Sequence, residues 1–146
     1  SSQNVESLWL PNTIESVTQL ALHRLALLVY EGGGIGLVDL ERRKVTPIAT
    51  GASVSSTLVD ESAAQARLWF TSSDGNVARV DLLQLESHAL VLAEPAQGLL
   101  MLAGTPRRLA AIHRAPGGFI TLLDPEDPAQ EHIRELASFF YTDLLD

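Results

Sequence analysis

Three regularly spaced aspartates are the first residues in this sequence that could carry out chemistry. Asp39, Asp81 and Asp124 each follow a short apolar stretch, and they lie 42 and 43 residues apart. Carboxylates brought together can bind a metal ion or transfer protons. A carboxylate at the end of a strand can instead accept hydrogen bonds from the N–H groups of the following turn. Because one aspartate per repeat lies too far from the next to share an ion, we interpret all three as structural residues.

The remaining reactive residue types form no recognisable site. His23, His88, His113 and His132 are isolated, whereas a metal site needs several ligands that converge on one point. The sequence has no cysteine and no Gly-x-Ser-x-Gly motif. The glycine-rich segment 32–36 does not complete a Gly-x-Gly-x-x-Gly phosphate loop, and the pattern after it is typical of a strand rather than a helix. We therefore predict no catalytic residue, no metal site and no cofactor.

The elements that carry the aspartates belong to a repeat. The segments 35–39, 77–81 and 120–124 align without gaps, and the same offsets align four more columns. These columns are Gly33, Gly75 and Gly118; Leu27, Trp69 and Ile112; Ile48, Leu90 and Ile133; and Val17, Val59 and Leu102. A period in the low forties is typical of propeller blades.

Each period predicts four short strands separated by turns. In the middle copy the strands are expected at about 54–59, 66–71, 77–82 and 88–93, and Asp74-Gly75 is a tight-hairpin signal between the second and third. The repeated glycine is expected at a position of positive φ. A single four-stranded sheet cannot bury both faces, so neighbouring sheets must stack. The sequence thus predicts an all-β fold of propeller blades, each a four-stranded antiparallel meander, with Trp69 buried between blades.

The first two copies also resemble a known family. Segments 28–51 and 68–82 are similar to the bacterial YVTN-type propeller repeat, in which an aromatic-containing strand, a Gly/Asn turn and a strand ending in Val-Ile-Asp precede an outer strand. The resemblance covers residues 17–138, but the third copy departs from it, with Pro125 and an insertion at 126–130. It implies a protein of the bacterial cell envelope, periplasm or exterior. Such propellers occur in adhesins, surface layers, lipoproteins, lactonases and quinoproteins.

The boundaries predict a single partial propeller domain over residues 1–146. The repeats span 12–51, 52–94 and 95–138, and 139–146 either opens another blade or ends a helix. Ile133, Leu136, Phe140 and Leu144 have helical spacing after Asp127 and Pro128, whereas the repeat register favours strands there. Because closed propellers use about four to eight blades, we expect a partial ring. It would be completed by more of its own propeller, on a separate chain or cleaved segment, or by a second copy.

Composition limits the classes of partner. The net charge is −8, and residues 124–146 hold seven acids and one arginine, which argues against binding to nucleic acid. The longest apolar runs are about strand length, well below the roughly 20 residues of a membrane helix. Trp9 and the other aromatic residues are interpreted as core or inter-blade packing.

We interpret the protein as a non-enzymatic interaction or scaffold module. The equivalent turns of the three repeats are expected to form one face toward a protein partner, and the residues of this face are Glu31, Asp74, Asn76, His113 and Arg114. The alternative is a fragment of a propeller enzyme of the lactonase or quinoprotein type, whose active site lies in other blades.

Overall fold

The computed structural model describes residues 7, 9–113, 118–126 and 133–140. Over these residues the chain consists of β-strands and a single turn of 3-10 helix at Ala21–His23. Contacts divide the chain into two compact units, Ser1–Ala49 and Thr50–Asp146. Among the described residues, no helix is long and apolar enough to span a membrane.

The first unit contains one four-stranded antiparallel sheet, in which every strand pairs with the next along the chain. Its strands are β1 (Ile14–Leu20), β2 (Leu25–Tyr30), β3 (Ile35–Asp39) and β4 (Lys44–Ile48). A small core of Leu28, Tyr30 and Val38 forms on one face and is covered in part by Leu10. This face of the first sheet is therefore already occupied.

The second unit contains two more meanders of the same kind. The second sheet consists of β5 (Val54–Glu61), β6 (Ala66–Ser72), β7 (Val77–Asp81) and β8 (Glu86–Leu90). The third sheet consists of β9 (Ala96–Leu102), β10 (Arg108–His113), β11 (Phe119–Asp124) and β12 (Arg134–Phe140). The predicted all-β architecture of repeated four-stranded blades is confirmed.

The core of the second unit lies between its two sheets. Trp69 from β6 is fully buried and belongs to one cluster with Leu109, Ala111 and Leu123 of the third sheet. Leu99 and Met101 of β9 pack against the same cluster. The prediction that Trp69 is buried between blades is therefore confirmed.

The register of the third sheet corrects one predicted column. Trp69 pairs with Arg79 in the second sheet, as Leu27 pairs with Leu37 in the first. The residue in the same place in the third sheet is Ala110, which pairs with Leu122. The prediction of Ile112 was wrong because the turn between β10 and β11 is two residues longer, which moves β10 relative to the gapless alignment.

The first-strand column also fails. Val17 pairs with Leu28, but Val59 pairs with Leu68 and Leu102 pairs with Arg108, so these three residues occupy different positions in their sheets. At the equivalent residues Leu25, Arg67 and Arg108, the paired first-strand residues Leu20, Asp60 and Leu102 lie 5, 7 and 6 positions earlier in the chain. A fixed offset therefore cannot align the strands on both sides of such a loop.

The last strand resolves the choice between helix and strand over the described residues. Residues 134–140 form β12, which runs antiparallel to β11, so a helix there was wrong. The segment after Asp124 is longer than its counterparts, so Phe139 rather than Ile133 pairs with Ile120, in the place of Ile48 and Leu90. Phe139 and Phe140 thus belong to the third sheet instead of opening a fourth blade. The rest of that predicted strand, and the predicted helix start at Asp127, lie outside the described residues.

Trp9 also differs from its prediction. Its side chain is 94% exposed, so it contributes to neither core. Trp9 and its described neighbours Ser7 and Leu10 are not in a strand.

Candidate functional site

Seven polar residues of the second unit form a connected set at one end of the second and third sheets. We call it the charged cluster, and its members are Asp60, Arg67, Arg79, Asp81, His88, Arg107 and Glu126. It includes the largest buried charged side chains of the described chain.

Two arginines of the cluster lie inside otherwise apolar strands. Arg67 is 2% exposed on β6 and Arg79 is fully buried on β7. A buried guanidinium requires a compensating charge and hydrogen-bond acceptors. Asp81 provides the charge, since its Oδ1 lies 3.3 Å from Arg67 Nε and 3.5 Å from Arg79 Nε. The Arg79 guanidinium also lies over the Trp69 ring, 5.7 Å from its centroid.

The cluster joins the two sheets of the second unit. Arg67 Nη1 donates to the Pro125 carbonyl oxygen at 2.7 Å and lies 3.6 Å from Glu126 Oε2. Arg107, just before β10, donates two parallel hydrogen bonds to Asp60 on β5, at 3.0 and 3.1 Å. It also binds Glu126. Hydrogen bonds to Asp60 and then to Glu126 raise the pKa of Arg107 above its ordinary value, so this cation stays charged.

Two polar pockets open beside the cluster. One, of about 210 Å³, is lined by Ala64, Gln65, Ala66, Arg67, Asp81 and Gln84. The other, of about 250 Å³, is lined by Asp60, Glu61, Ser62, Gln65, Arg107 and Glu126. In both pockets the arginine that reaches the wall is already paired with a carboxylate of the same wall. This pairing lowers the positive potential that would attract an anionic ligand.

Asp81 also belongs to a group with metal-ligand spacing. Ligand atoms of Asp81, Glu86 and His88 all lie within 4.8 Å of one another. However, the guanidinium groups of Arg67 and Arg79 face the same Asp81 carboxylate and would repel a divalent cation placed there. The donor set therefore fits an ion-pair network better than a metal centre.

The three repeated aspartates all end the third strand of their sheet, but their partners differ. Asp39 Oδ1 accepts hydrogen bonds from the Glu41 and Arg42 N–H groups, both at 3.0 Å. Asp124 Oδ1 likewise accepts one from the Glu126 N–H at 2.9 Å. Asp81 instead faces the two arginines. Two of the three are turn caps, and the third is the acceptor at the centre of the charged cluster.

The glycine-containing turns lie at the opposite ends of the middle strands. Gly33, Gly75 and Gly118 have φ values of +88°, +86° and +69°. At Gly75 the packing adds a second requirement, because a Cβ there would lie 2.5 Å from Pro95 Cβ and 2.6 Å from its Cα. The Gly75 carbonyl oxygen also accepts a hydrogen bond from the Ala96 N–H at 2.9 Å. This turn is thus locked against the start of the third sheet.

The locked turn exposes a carboxylate. Asp74 is exposed and accepts hydrogen bonds from the Ser72 hydroxyl and the Asn76 N–H. These two bonds, the hydroxyl first, hold the pKa of Asp74 below its ordinary value of 3.8. Asn76 is half-buried, and its carbonyl oxygen accepts from the Ser72 N–H at 3.0 Å. Asp74 is therefore an ionised group held on a rigid turn.

The other predicted face residues have different surroundings. Glu31 is exposed, and its N–H donates to the Thr13 carbonyl oxygen at 2.9 Å. His113 is 2% exposed, with Nε2 2.8 Å from Thr121 Oγ1 and Nδ1 3.2 Å from the Pro95 carbonyl oxygen. Its ring is therefore buried among residues of the third repeat, with Phe119 5.1 Å away between ring centroids, and is not exposed to a partner. Arg114 lies outside the described residues.

Sequence reasoning missed the charged cluster apart from Asp81. Arg67 and Arg79 were detectable in principle, because each interrupts an apolar segment that the repeat assigns to a buried middle strand. The contacts of the cluster that cross between the two sheets gave no such signal. Pro125 lies 58 residues from Arg67 in the chain, and Asp60 lies 47 residues from Arg107.

Comparisons with known proteins give a fold but no family. No protein-family model matches the sequence, and no curated protein matches it. Among the solved structures that resemble it is the β-propeller domain of Cps50 (Swd1) from Myceliophteria thermophila, with a TM-score of 0.63 and 14% sequence identity. The match covers 93% of this chain and 41% of that domain, so the chain spans about two fifths of its length. The fold of this chain is that of β-propeller blades.

Proposed function

We propose that this chain is a non-enzymatic β-propeller module that acts as a scaffold for binding another protein. The proposal extends to the YVTN type and to a place in the bacterial cell envelope, both suggested by the resemblance of the first two repeats. Propeller folds serve many functions, so the fold alone does not assign one, and the charged groups of the second unit support this proposal.

The observation that carries the proposal is a contrast between buried and exposed charges in the second unit. The buried charges Arg67, Arg79 and Asp81 face one another within the second sheet, and Arg67 also donates to Pro125 beside the third sheet, so these groups are occupied by structural contacts. Catalytic groups, by contrast, need free lone pairs or protons directed toward a substrate. Asp74 is the exposed counterpart, held in one place by Ser72 and Asn76. Because the turn already holds this carboxylate in place, little conformational entropy is lost when a partner binds it. The negative charge favours a partner that presents a cationic group.

The experiment compares two substitutions that change the net charge by the same amount. Asp74→Asn removes the carboxylate of the locked turn, and Gln84→Lys changes an exposed residue of the β7–β8 turn, beside the charged cluster. Both variants and the unmodified chain are immobilised, and proteins retained from an extract of the native cells are quantified after chemical cross-linking. We expect a specific protein to be retained by the chain and by Gln84→Lys, and to be lost with Asp74→Asn.

A second arm tests the enzyme alternative. The chain is titrated with Ca²⁺, Zn²⁺ and pyrroloquinoline quinone under native mass spectrometry and assayed for lactone hydrolysis. Stoichiometric uptake together with turnover would establish that the protein is an enzyme and would overturn the scaffold proposal. Retention of the same proteins by all three immobilised chains would instead show that the Asp74 turn is not part of the binding surface.

A further inference from the structure

The outer face of the third sheet is apolar except for Arg108, and it remains partly exposed. Side chains alternate along β9 and β10, so Leu99, Met101 and Leu109 point toward the second sheet and their neighbours point away. The outward residues are Leu100, Leu102, Arg108, Ala110, Ile112, Ile120 and Leu122. Leu100 and Leu102 remain 51% and 38% exposed. We call these seven residues the outer face.

The outer face is equivalent to the face of the second sheet that packs against the third sheet. By strand register, Leu100 takes the place of Leu58, Arg108 that of Arg67, and Ala110 that of Trp69. In the second sheet these positions pack against the third sheet. The third sheet thus presents to its outside the positions that receive a blade one repeat earlier.

Arg108 repeats the charged anchor of that interface. Arg67 donates to the carbonyl oxygen of Pro125, at the end of the third strand of the sheet stacked on it. Arg108 is half-buried, and its Nη1 donates at 3.0 Å to the carbonyl oxygen of its own neighbour Arg107. The equivalent guanidinium in the third sheet is thus near the same strand end, where a stacked sheet would place a carbonyl oxygen.

We propose that the outer face binds a further four-stranded blade from polypeptide outside residues 1–146, with Arg108 donating to a main-chain carbonyl oxygen of that blade. This inference rests on the proposed function, since it names the kind of partner. The blade must present an aliphatic face, as Leu99, Met101 and Leu109 do toward the second sheet.

A second copy of this chain is a poorer occupant. The face of the first sheet equivalent to Leu109 and Ala111 contains Leu28 and Tyr30, which are both buried, with Leu10 packed against them. In the second sheet the equivalent residues Leu68 and Phe70 are 0% and 2% exposed. A copy that docked through this face of its first or second sheet would thus have to expose residues that are now buried.

The test uses a unique thiol, since the chain has no cysteine. Leu100→Cys places the thiol on the outer face, and Leu83→Cys places one on the exposed β7–β8 turn as a control. Each variant is made in the chain alone and in a chain extended by a second copy of residues 91–140 as the probe blade. Alkylation by iodoacetamide is followed by mass spectrometry at two protein concentrations.

We expect the extension to slow alkylation of Leu100→Cys by about ten-fold or more, because the thiol then reacts only after local opening. Alkylation of Leu83→Cys should not change, and Arg108→Gln in the extended chain should restore part of the Leu100→Cys rate. Unchanged alkylation of Leu100→Cys would overturn the proposal, whether circular dichroism shows the added blade folded or unfolded. Slower alkylation of the unextended chain at high concentration would also overturn it, because a second copy would then cover the face.

These outcomes are separable from those for the proposed function. Turnover with a bound ion or quinone would remove the scaffold function whatever the alkylation rates. Unchanged alkylation of Leu100→Cys in the extended chain, without turnover, would contradict only the inference that a blade docks on the outer face.

Discussion

Arg107 binds the carboxylate of Asp60 through two parallel hydrogen bonds, Nη1 to Oδ1 at 3.0 Å and Nη2 to Oδ2 at 3.1 Å. The pair links β5 of the second sheet to the residue before β10 of the third.

We expect Arg107→Lys to lose this two-point geometry and to lower the free energy of unfolding by about 1 kcal/mol, since the pair is partly solvated. A double-mutant cycle with Asp60→Asn, measured by urea titration, should give a coupling energy that favours the folded state. The more exposed pair Arg24–Glu41 is the control, and a coupling there as large as that of Arg107–Asp60 would contradict the prediction.

Asp81 and Asp39 occupy equivalent strand ends but should differ in their energetic roles. Asp81→Asn leaves the buried guanidinium groups of Arg67 and Arg79 without their shared carboxylate, which should cost about 3 kcal/mol or more. Asp39→Asn weakens only the acceptor of two turn N–H groups and should cost about 1 kcal/mol or less. Urea titrations of both variants provide the comparison. Equal losses would mean that the buried charges are not balanced through Asp81.

The two tryptophans predict opposite responses to truncation. Trp69→Ala should lower the free energy of unfolding by about 3–5 kcal/mol, because a fully buried indole leaves a cavity between the two sheets of the second unit. Trp9→Ala should change it by about 0.5 kcal/mol or less, since Trp9 is almost fully exposed. Circular dichroism during urea titration avoids dependence on tryptophan fluorescence. A loss below about 1 kcal/mol for Trp69→Ala would be inconsistent with its burial.

Gly75 and Gly32 separate backbone strain from steric overlap. Both have φ near +90°, so alanine at either position carries a similar conformational cost of about 1–2 kcal/mol. Only at Gly75 does the added Cβ meet backbone, at Pro95, whereas at Gly32 nothing lies within 4 Å. We expect Gly75→Ala to lower the melting temperature clearly more than Gly32→Ala. Equal shifts in differential scanning calorimetry would show that the contact with Pro95 relaxes without cost.

Asp74 should titrate at lower pH than an ordinary aspartate. Its folded-state pKa is lowered by the Ser72 hydroxyl and the Asn76 N–H, so the associated stability is present above 3.8 and is lost as the pH falls through the folded-state value. Ser72→Ala removes the larger cause and should move the Asp74 pKa back toward 3.8. NMR titration of the carboxyl carbon measures this shift, with Ser73→Ala as the control. The same Asp74 pKa in Ser72→Ala and the unmodified chain would show that the hydroxyl does not stabilise the carboxylate.

The fold was predictable because its signals are local. A strand that ends in aspartate and a turn glycine with positive φ depend on hydrogen bonds and torsions within a few residues. The positions of Asp39, Asp81 and Gly75 follow from such short segments. The burial of Trp69 follows from the same repeat, because the middle strands of a stacked sheet have both faces covered.

The registers and the charged cluster depended on tertiary structure. A fixed offset could not identify Ala110 and Phe139 as column members, because each strand shifts until its apolar residues face a core, and the loops absorb the extra length. The contact of Arg67 with Pro125 forms only when two sheets stack, across 58 residues of chain. The sequence by itself thus determined the repeat of four-stranded units, their order along the chain and the aspartates that end their third strands. Stacking decided which groups meet across the two sheets, such as Arg67 with Pro125, and which apolar face remains open, because these depend on distances between sheets that no short segment encodes.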